Sequence, residues 1–107
     1  MIVSGGVKVS LGAVERAVRT VHGFGDAMVV RMPDAEWGER AAVVALRTDA
    51  AAASDALTTL AAATDAAGLT PAARPVRLEL VDRMPLLATG KPDRRALESR
   101  LRDGGSA

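Results

Sequence analysis

Cysteine is absent from the 107 residues, which excludes a disulfide framework and any thiolate metal site. Aromatic side chains are nearly absent too: Phe24 and Trp37 are the only ones. A core built without them must pack Val, Leu and Ala, so the margin of stability is small. The chain holds one histidine, His22. With no second His and no Cys beside it, His22 makes neither a zinc site nor a Ser–His–Asp set, and no role is assigned to it. Charge of one sign is also missing: 14 Lys and Arg face 13 Asp and Glu, for a formal net charge of +1. No global field therefore draws the chain to nucleic acid or to a membrane. No apolar run approaches the ~20 residues of a membrane span, and the start lacks the charged and apolar regions of a secretory leader. The expected location is the cytoplasm, with neither nucleic acid nor membrane as partner.

What is present reads as one globular domain. Hydrophobic residues make up 49% and charged residues 25% of the chain, proportions typical of a packed fold rather than a disordered one. "IVSGGVKVS" (2–10) sets β-formers around Gly5-Gly6 and predicts strand, tight loop, short strand. From Leu11 to Val21 the apolar residues recur at helical spacing, with Ser10 as N-cap and Gly23 and Gly25 as the stop. Strands are predicted over 26–33 and 41–47, joined by the turn-rich "PDAEWGER" (33–40). Residues 48–53 form an alanine-rich connection. A helix follows over 54–68, capped by Ser54 and ended by Gly68, and "TPAARP" (70–75) is a loop. "VRLELV" (76–81) alternates Val76, Leu78 and Leu80 against Arg77 and Glu79, the pattern of a half-buried strand. Asp93 caps a last helix, 94–102, whose inner face carries Leu97 and Leu101. Arg94, Arg95, Arg100 and Arg102 are interleaved with Asp93, Glu98 and Asp103, which reads as a solvated helix face. The expected fold is α+β: an about three-stranded, mainly antiparallel sheet with a short N-terminal hairpin, packed by three helices. The domain is expected over 1–103, with 104–107 a flexible tail.

A few residues invite chemistry. Lys91 stands between Gly90, which permits close approach of another surface, and Pro92, which steers Lys91 away from helical dihedrals. An ammonium so mounted suits negative charge appearing during a reaction, as in phosphoryl or acyl-phosphate chemistry; the plainer reading is an exposed lysine in a turn before a helix. Gly5-Gly6 can cradle a phosphate or form a tight turn, and it matches neither a P-loop nor a dinucleotide fingerprint. Trp37 either plugs the core, the reading favoured in so aromatic-poor a chain, or offers a flat face to a ligand ring. Arg74, before Pro75, is a solvent arginine or a phosphate anchor.

Taken together, "SGGVKVSLGAVE" (4–15), "MPDAEWGER" (32–40) and "MPLLATGKPDRRAL" (84–97) resemble, in order and spacing, the C-terminal domain of the AMP-forming acyl-CoA synthetases, within the adenylate-forming family. The resemblance runs from about Ile2 to about Leu101. It implies a small domain that closes in two orientations on a large N-terminal domain, its own partner, which binds ATP and a small-molecule carboxylic acid. In one orientation Lys91 matches the lysine that promotes acyl-adenylate formation. In the other, Gly5 and Gly6 match the loop lining the tunnel where the CoA thiol attacks. Trp37 and Arg74 stand where some relatives contact the CoA nucleotide, and Glu15 matches a helix glutamate read as structural. ATP, CoA and Mg are implied as co-substrates of the complete enzyme, with none expected on this domain alone.

Departures accompany the likeness. The hinge segment and the ATP-binding domain are not in the chain, which is expected to be one half of an active site and inactive alone. Ala72 replaces an aromatic of some relatives. Within the family the first and last motifs most resemble o-succinylbenzoate–CoA ligases of menaquinone biosynthesis. The alternatives are an adenylation domain of a non-ribosomal peptide synthetase, against which "WGER" argues, and a non-catalytic binding module of the same fold.

Overall fold

The structure, a computed structural model, describes residues 1–47 and 56–102. The Ser54 cap, the 48–53 connection, Asp103 and the expected tail at 104–107 lie outside the described residues.

The chain runs β1 (Ile2–Ser4), β2 (Val7–Val9), α1 (Leu11–Val18), β3 (Met28–Asp34), β4 (Gly38–Leu46), α2 (Ala56–Ala66), a 3-10 turn (Pro71–Ala73), β5 (Arg77–Val81) and α3 (Arg94–Arg102). The architecture is α+β with three helices, as expected, but the sheet has five strands rather than about three. The N-terminal hairpin is the reason: β1 pairs with β2 and also bridges to β4 at Ser4–Gly38, so it extends the sheet instead of standing apart. β4 is the spine. It is antiparallel to β3 from Met28–Val44 to Asp34–Gly38 and parallel to β5 from Ala42–Arg77 to Leu46–Val81. Since β3 covers one edge of β4, β1 and β5 share the other.

Both faces of the sheet are covered. On one, Val29, Ala41, Val43 and Ala45 pack with Val14 and Val18 of α1, Phe24, and Ala56 and Leu60 of α2. On the other, Met28, Val30, Ala42, Val44 and Val81 meet Leu97 and Leu101 of α3. Alternate residues of β4 thus enter opposite cores, which is why "AAVVAL" shows an unbroken apolar run and no polar alternation. β5 keeps the predicted alternation in part. Leu78 and Leu80 lean on the first core, while Glu79 faces α3 and meets Arg100 at 3.3 Å. Val76 precedes the strand and is exposed, and Val81, on the side of Glu79, is buried in the second core.

Helix α1 is capped as expected, Ser10 Oγ accepting from the Ala13 N–H at 3.2 Å. It stops at Val18 rather than Val21, because the chain passes into successive tight turns, Thr20 to Ala17 and Val21 to Val18. The β3–β4 hairpin reaches further into "PDAEWGER" than its polar composition predicts. Asp34 Oδ1 accepts from the N–H groups of Glu36 and Trp37 at 2.9 and 2.8 Å, closing a short turn directly onto the strands. The expected solvated face of α3 is also corrected in part: Arg94 and Arg100 are engaged by Glu15 and Glu79.

Candidate functional site

The predicted site residues fall into two groups at opposite ends of β3. Lys91 sits in a loop that is hydrogen-bonded upon itself. Leu86 and Pro92 form an antiparallel bridge, the Leu87 N–H donates to the Lys91 carbonyl at 2.7 Å, and the Gly90 N–H donates to the Leu87 carbonyl at 2.9 Å. Gly90 has φ +88°, the left-handed conformation that lets the turn close. The Asp93 N–H returns to the Pro85 carbonyl at 2.9 Å. Asp93 Oδ1 then caps α3 by accepting from the Ala96 N–H at 3.1 Å, as the sequence predicts. Lys91 is exposed, and among the described residues its ammonium has no ion-pair partner. Leu86 and Leu87 stand exposed beside it. The loop presents an uncommitted cation flanked by apolar side chains.

Next to that loop, through Arg94, lies a charged cluster built on Glu15, which the sequence marks as structural without naming its partner. Glu15, on the inner side of α1, is buried. Its carboxylate accepts from Arg94 at 3.1 Å on both oxygens and from the Val29 N–H at 2.9 Å, with Arg19 at 3.4 Å. Burial alone would push this carboxyl up. The bonds from Arg94 and the Val29 N–H, with the charges of Arg94 and Arg19, outweigh burial and hold it below the ordinary carboxylate range. The sequence did carry a signal: an acid set among Val14, Ala17 and Val18 on an inward helix face requires a cation. It could not say that the cation lies 79 residues away.

The second group gathers where β1 turns into β2. Gly5 and Gly6 both have positive φ, +57° and +83°. The Gly5 N–H donates to the Trp37 carbonyl at 2.8 Å. The two glycines differ in one respect. A Cβ on Gly5 would stand 2.8 Å from the Trp37 ring, whereas a Cβ on Gly6 would meet nothing within 4 Å. Trp37 is therefore not the core plug that aromatic scarcity favoured. It is 39% exposed, seated on Gly5, with the Arg40 guanidinium 4.6 Å from the ring centre in cation–π contact. The Asp34 turn rather than the core fixes its backbone, which is why burial arguments misplace it. Arg40, missed in the sequence, links onward by donating to the Arg74 carbonyl at 3.4 Å. The Arg74 guanidinium is occupied by Asp65 of α2 at 2.8 Å. The structure thus joins Gly5, Trp37, Arg40 and the Arg74 backbone into one surface.

That surface does not include Lys91. Arg94, three residues beyond Lys91, bonds to β3 at Val29, while Trp37 follows the far end of β3 at Asp34. The Val29–Asp34 run spans roughly 17 Å at the rise of an antiparallel strand. No group of three or more His, Asp or Glu side chains able to hold a metal ion occurs among the described residues, and no helix among them is long and apolar enough to cross a membrane.

The domain thus carries Lys91, without an ion-pair partner among the described residues, on one loop and a glycine–tryptophan platform on another. The chain belongs to the AMP-binding enzyme C-terminal domain family, whose sequence pattern matches residues 13–91. It is 38% identical over 110 residues to the medium/long-chain-fatty-acid–CoA ligase FadD8 of Mycobacterium tuberculosis, covering 97% of this chain and 19% of that protein. Among solved structures it is similar to MbtA of Mycobacterium smegmatis (28% identity, TM-score 0.77, 92% of this chain and 18% of that one). It is also similar to the amide bond synthetase McbA of Marinactinospora thermotolerans (26% identity, TM-score 0.77, 95% and 20%). The chain spans about a fifth of the length of these relatives.

Proposed function

We propose that this chain is the mobile C-terminal domain of an AMP-forming carboxylic acid–CoA ligase. In the complete enzyme the carboxylate attacks the α-phosphate of ATP, expelling pyrophosphate, and the CoA thiol then displaces AMP from the acyl-adenylate. The observation that carries the reading is Lys91, exposed and without an ion-pair partner among the described residues, on its self-bonded loop in a chain of this family. Brought against the partner domain, its ammonium stabilises charge on the carboxylate and α-phosphate as they react. Its compact, flexible charge needs no counter-ion on its own domain, because the reaction supplies one. Magnesium accompanies ATP on the partner domain. The Gly5-Gly6 turn is the second working surface: open space beside Gly6 lets an extended thiol arm approach the backbone. Trp37 and Arg74 border it as nucleotide contacts, although Arg74 must release Asp65 to bind phosphate.

The acid is chosen by the partner domain. Motif likeness favours o-succinylbenzoate; the 38% identity to a medium/long-chain-fatty-acid–CoA ligase favours a fatty acid as the second reading. Acid-dependent pyrophosphate release by the complete enzyme, assayed with both acids, tests the proposal and chooses between them. Lys91→Ala is expected to slow adenylation by about 10²-fold or more, while thioester formation from supplied acyl-adenylate largely survives. Equal loss of both half-reactions would overturn this division of labour, and no pyrophosphate release with any acid would favour a binding module.

A further inference from the structure

We propose that Glu15 and Arg94 are positioning residues for Lys91, an inference that rests on the adenylation reading of that lysine. β3 is an edge strand of the sheet, and an edge leaves backbone groups without strand partners. At Val29 those groups are met by side chains instead: the N–H donates to Glu15 Oε2 at 2.9 Å, and the carbonyl accepts from Arg94 Nη1 at 2.9 Å. The same Arg94 grips both Glu15 oxygens, Nη1 on Oε2 and Nη2 on Oε1, each at 3.1 Å. The pair closes a ring of four hydrogen bonds across α1, the edge of β3 and the first residue of α3.

Lys91 lies three residues before that anchor, and the intervening Asp93 is pinned to Pro85 and to the start of α3. The loop's own hydrogen bonds give it a shape. The Glu15–Arg94 ring gives it a place relative to the sheet. A lysine delivered by a swinging domain must arrive within a narrow tolerance of the reacting atoms, because a misplacement of about 1 Å can cost about 10²-fold in rate. Trp37 is carried on the same β3–β4 hairpin, so the ring also holds the two working surfaces in one rigid relation. Lysine at position 94 would keep the charge and lose the fork, since one ammonium cannot hold two carboxylate oxygens and a carbonyl in this planar geometry.

Amide hydrogen exchange on the 107-residue chain tests the clip with no assumption about activity. In Arg94→Lys and Glu15→Gln the amides of Leu87, Gly90 and Asp93 are expected to exchange about tenfold faster, while Val43 and Val44 of the spine hold. Unchanged loop amides, or equal acceleration of loop and spine, would overturn the proposal. In the complete enzyme Arg94→Lys is expected to lower kcat for acid-dependent pyrophosphate release by about 10–100-fold. The KM values for ATP and acid should stay near those of the parent, as should thioester formation from supplied acyl-adenylate. A merely structural pair would weaken both half-reactions alike, and that result sinks the inference. Lys91→Ala in parallel separates the two failures: if it leaves adenylation intact the functional reading falls, and if it alone abolishes adenylation this inference falls by itself.

Discussion

Gly5 and Gly6 are adjacent, both left-handed, and yet held by different forces. At Gly6 only the backbone conformation resists a side chain. At Gly5 the conformation and the Trp37 ring both resist, because a Cβ would stand 2.8 Å from it. Gly6→Ala is therefore expected to cost about 1 kcal/mol and Gly5→Ala distinctly more, about 2–3 kcal/mol, from the left-handed penalty plus a forced displacement. Denaturant unfolding measures both. Trp37 is the single tryptophan, so its emission should shift in Gly5→Ala and stay put in Gly6→Ala. An unshifted emission in Gly5→Ala would show that the ring does not rest on that glycine. The residue scale also shows what the sequence could not supply. The motif reading marked both glycines for one reason, approach of a ligand; contact with Trp37 gives Gly5 a second reason that belongs to this domain alone.

Elements are legible where a single face decides them and less so where two compete. The spacing of Leu97 and Leu101 on α3 reads correctly, since that helix buries one side, and the alternation of β5 reads correctly at Leu78 and Leu80, although Val81 enters the second core. β4 buries both, and its apolar run conceals its register. α3 depends on few anchors: Leu97 and Leu101 are its buried side chains. Leu97→Ala is expected to cost about 3 kcal/mol through lost transfer energy and a cavity against Val30 and Val44. Asp93→Ala should cost about 1 kcal/mol by leaving the Ala96 N–H without its cap. Thermal unfolding of both variants checks the order; a larger loss at Asp93 would mean the loop, not the core, holds α3. The strand ends near Asp34 differ from the sequence expectation for a local reason. The stretch is polar and turn-rich, yet one carboxylate accepting two backbone N–H groups shortens the turn and leaves the flanking residues free to pair.

For the whole domain, the Glu15–Arg94 clip makes stability depend on acid. The folded state holds the Glu15 carboxyl below its ordinary value of 4.5, so the unfolded chain takes up this proton first as pH falls. The contribution of the clip is then fully present above about pH 4.5 and is lost as pH drops through the lower folded value. Unfolding midpoints measured downward from neutrality should fall more steeply for the parent than for Glu15→Gln, which has no proton to gain. Parallel curves would show that other carboxylates govern the acid limb.

Composition and local pattern by themselves determined the α+β class, the three helices, the strands of the sheet, the Ser10 and Asp93 caps, and the exposure of Lys91. Each rests on neighbours within a few residues, where spacing, capping and the dihedral limits of Gly and Pro act directly. Tertiary structure alone decided that the N-terminal hairpin joins the sheet at Gly38, that Trp37 rests on Gly5 outside the core, and that Glu15 finds Arg94. Those outcomes depend on long-range partners, and no local energy term distinguishes an arginine that meets solvent from one that meets a buried carboxylate across the fold. The tertiary fold also set the lysine loop and the glycine–tryptophan surface at opposite ends of one strand, joined by the stiffness of β3 and by the charged clip at its edge.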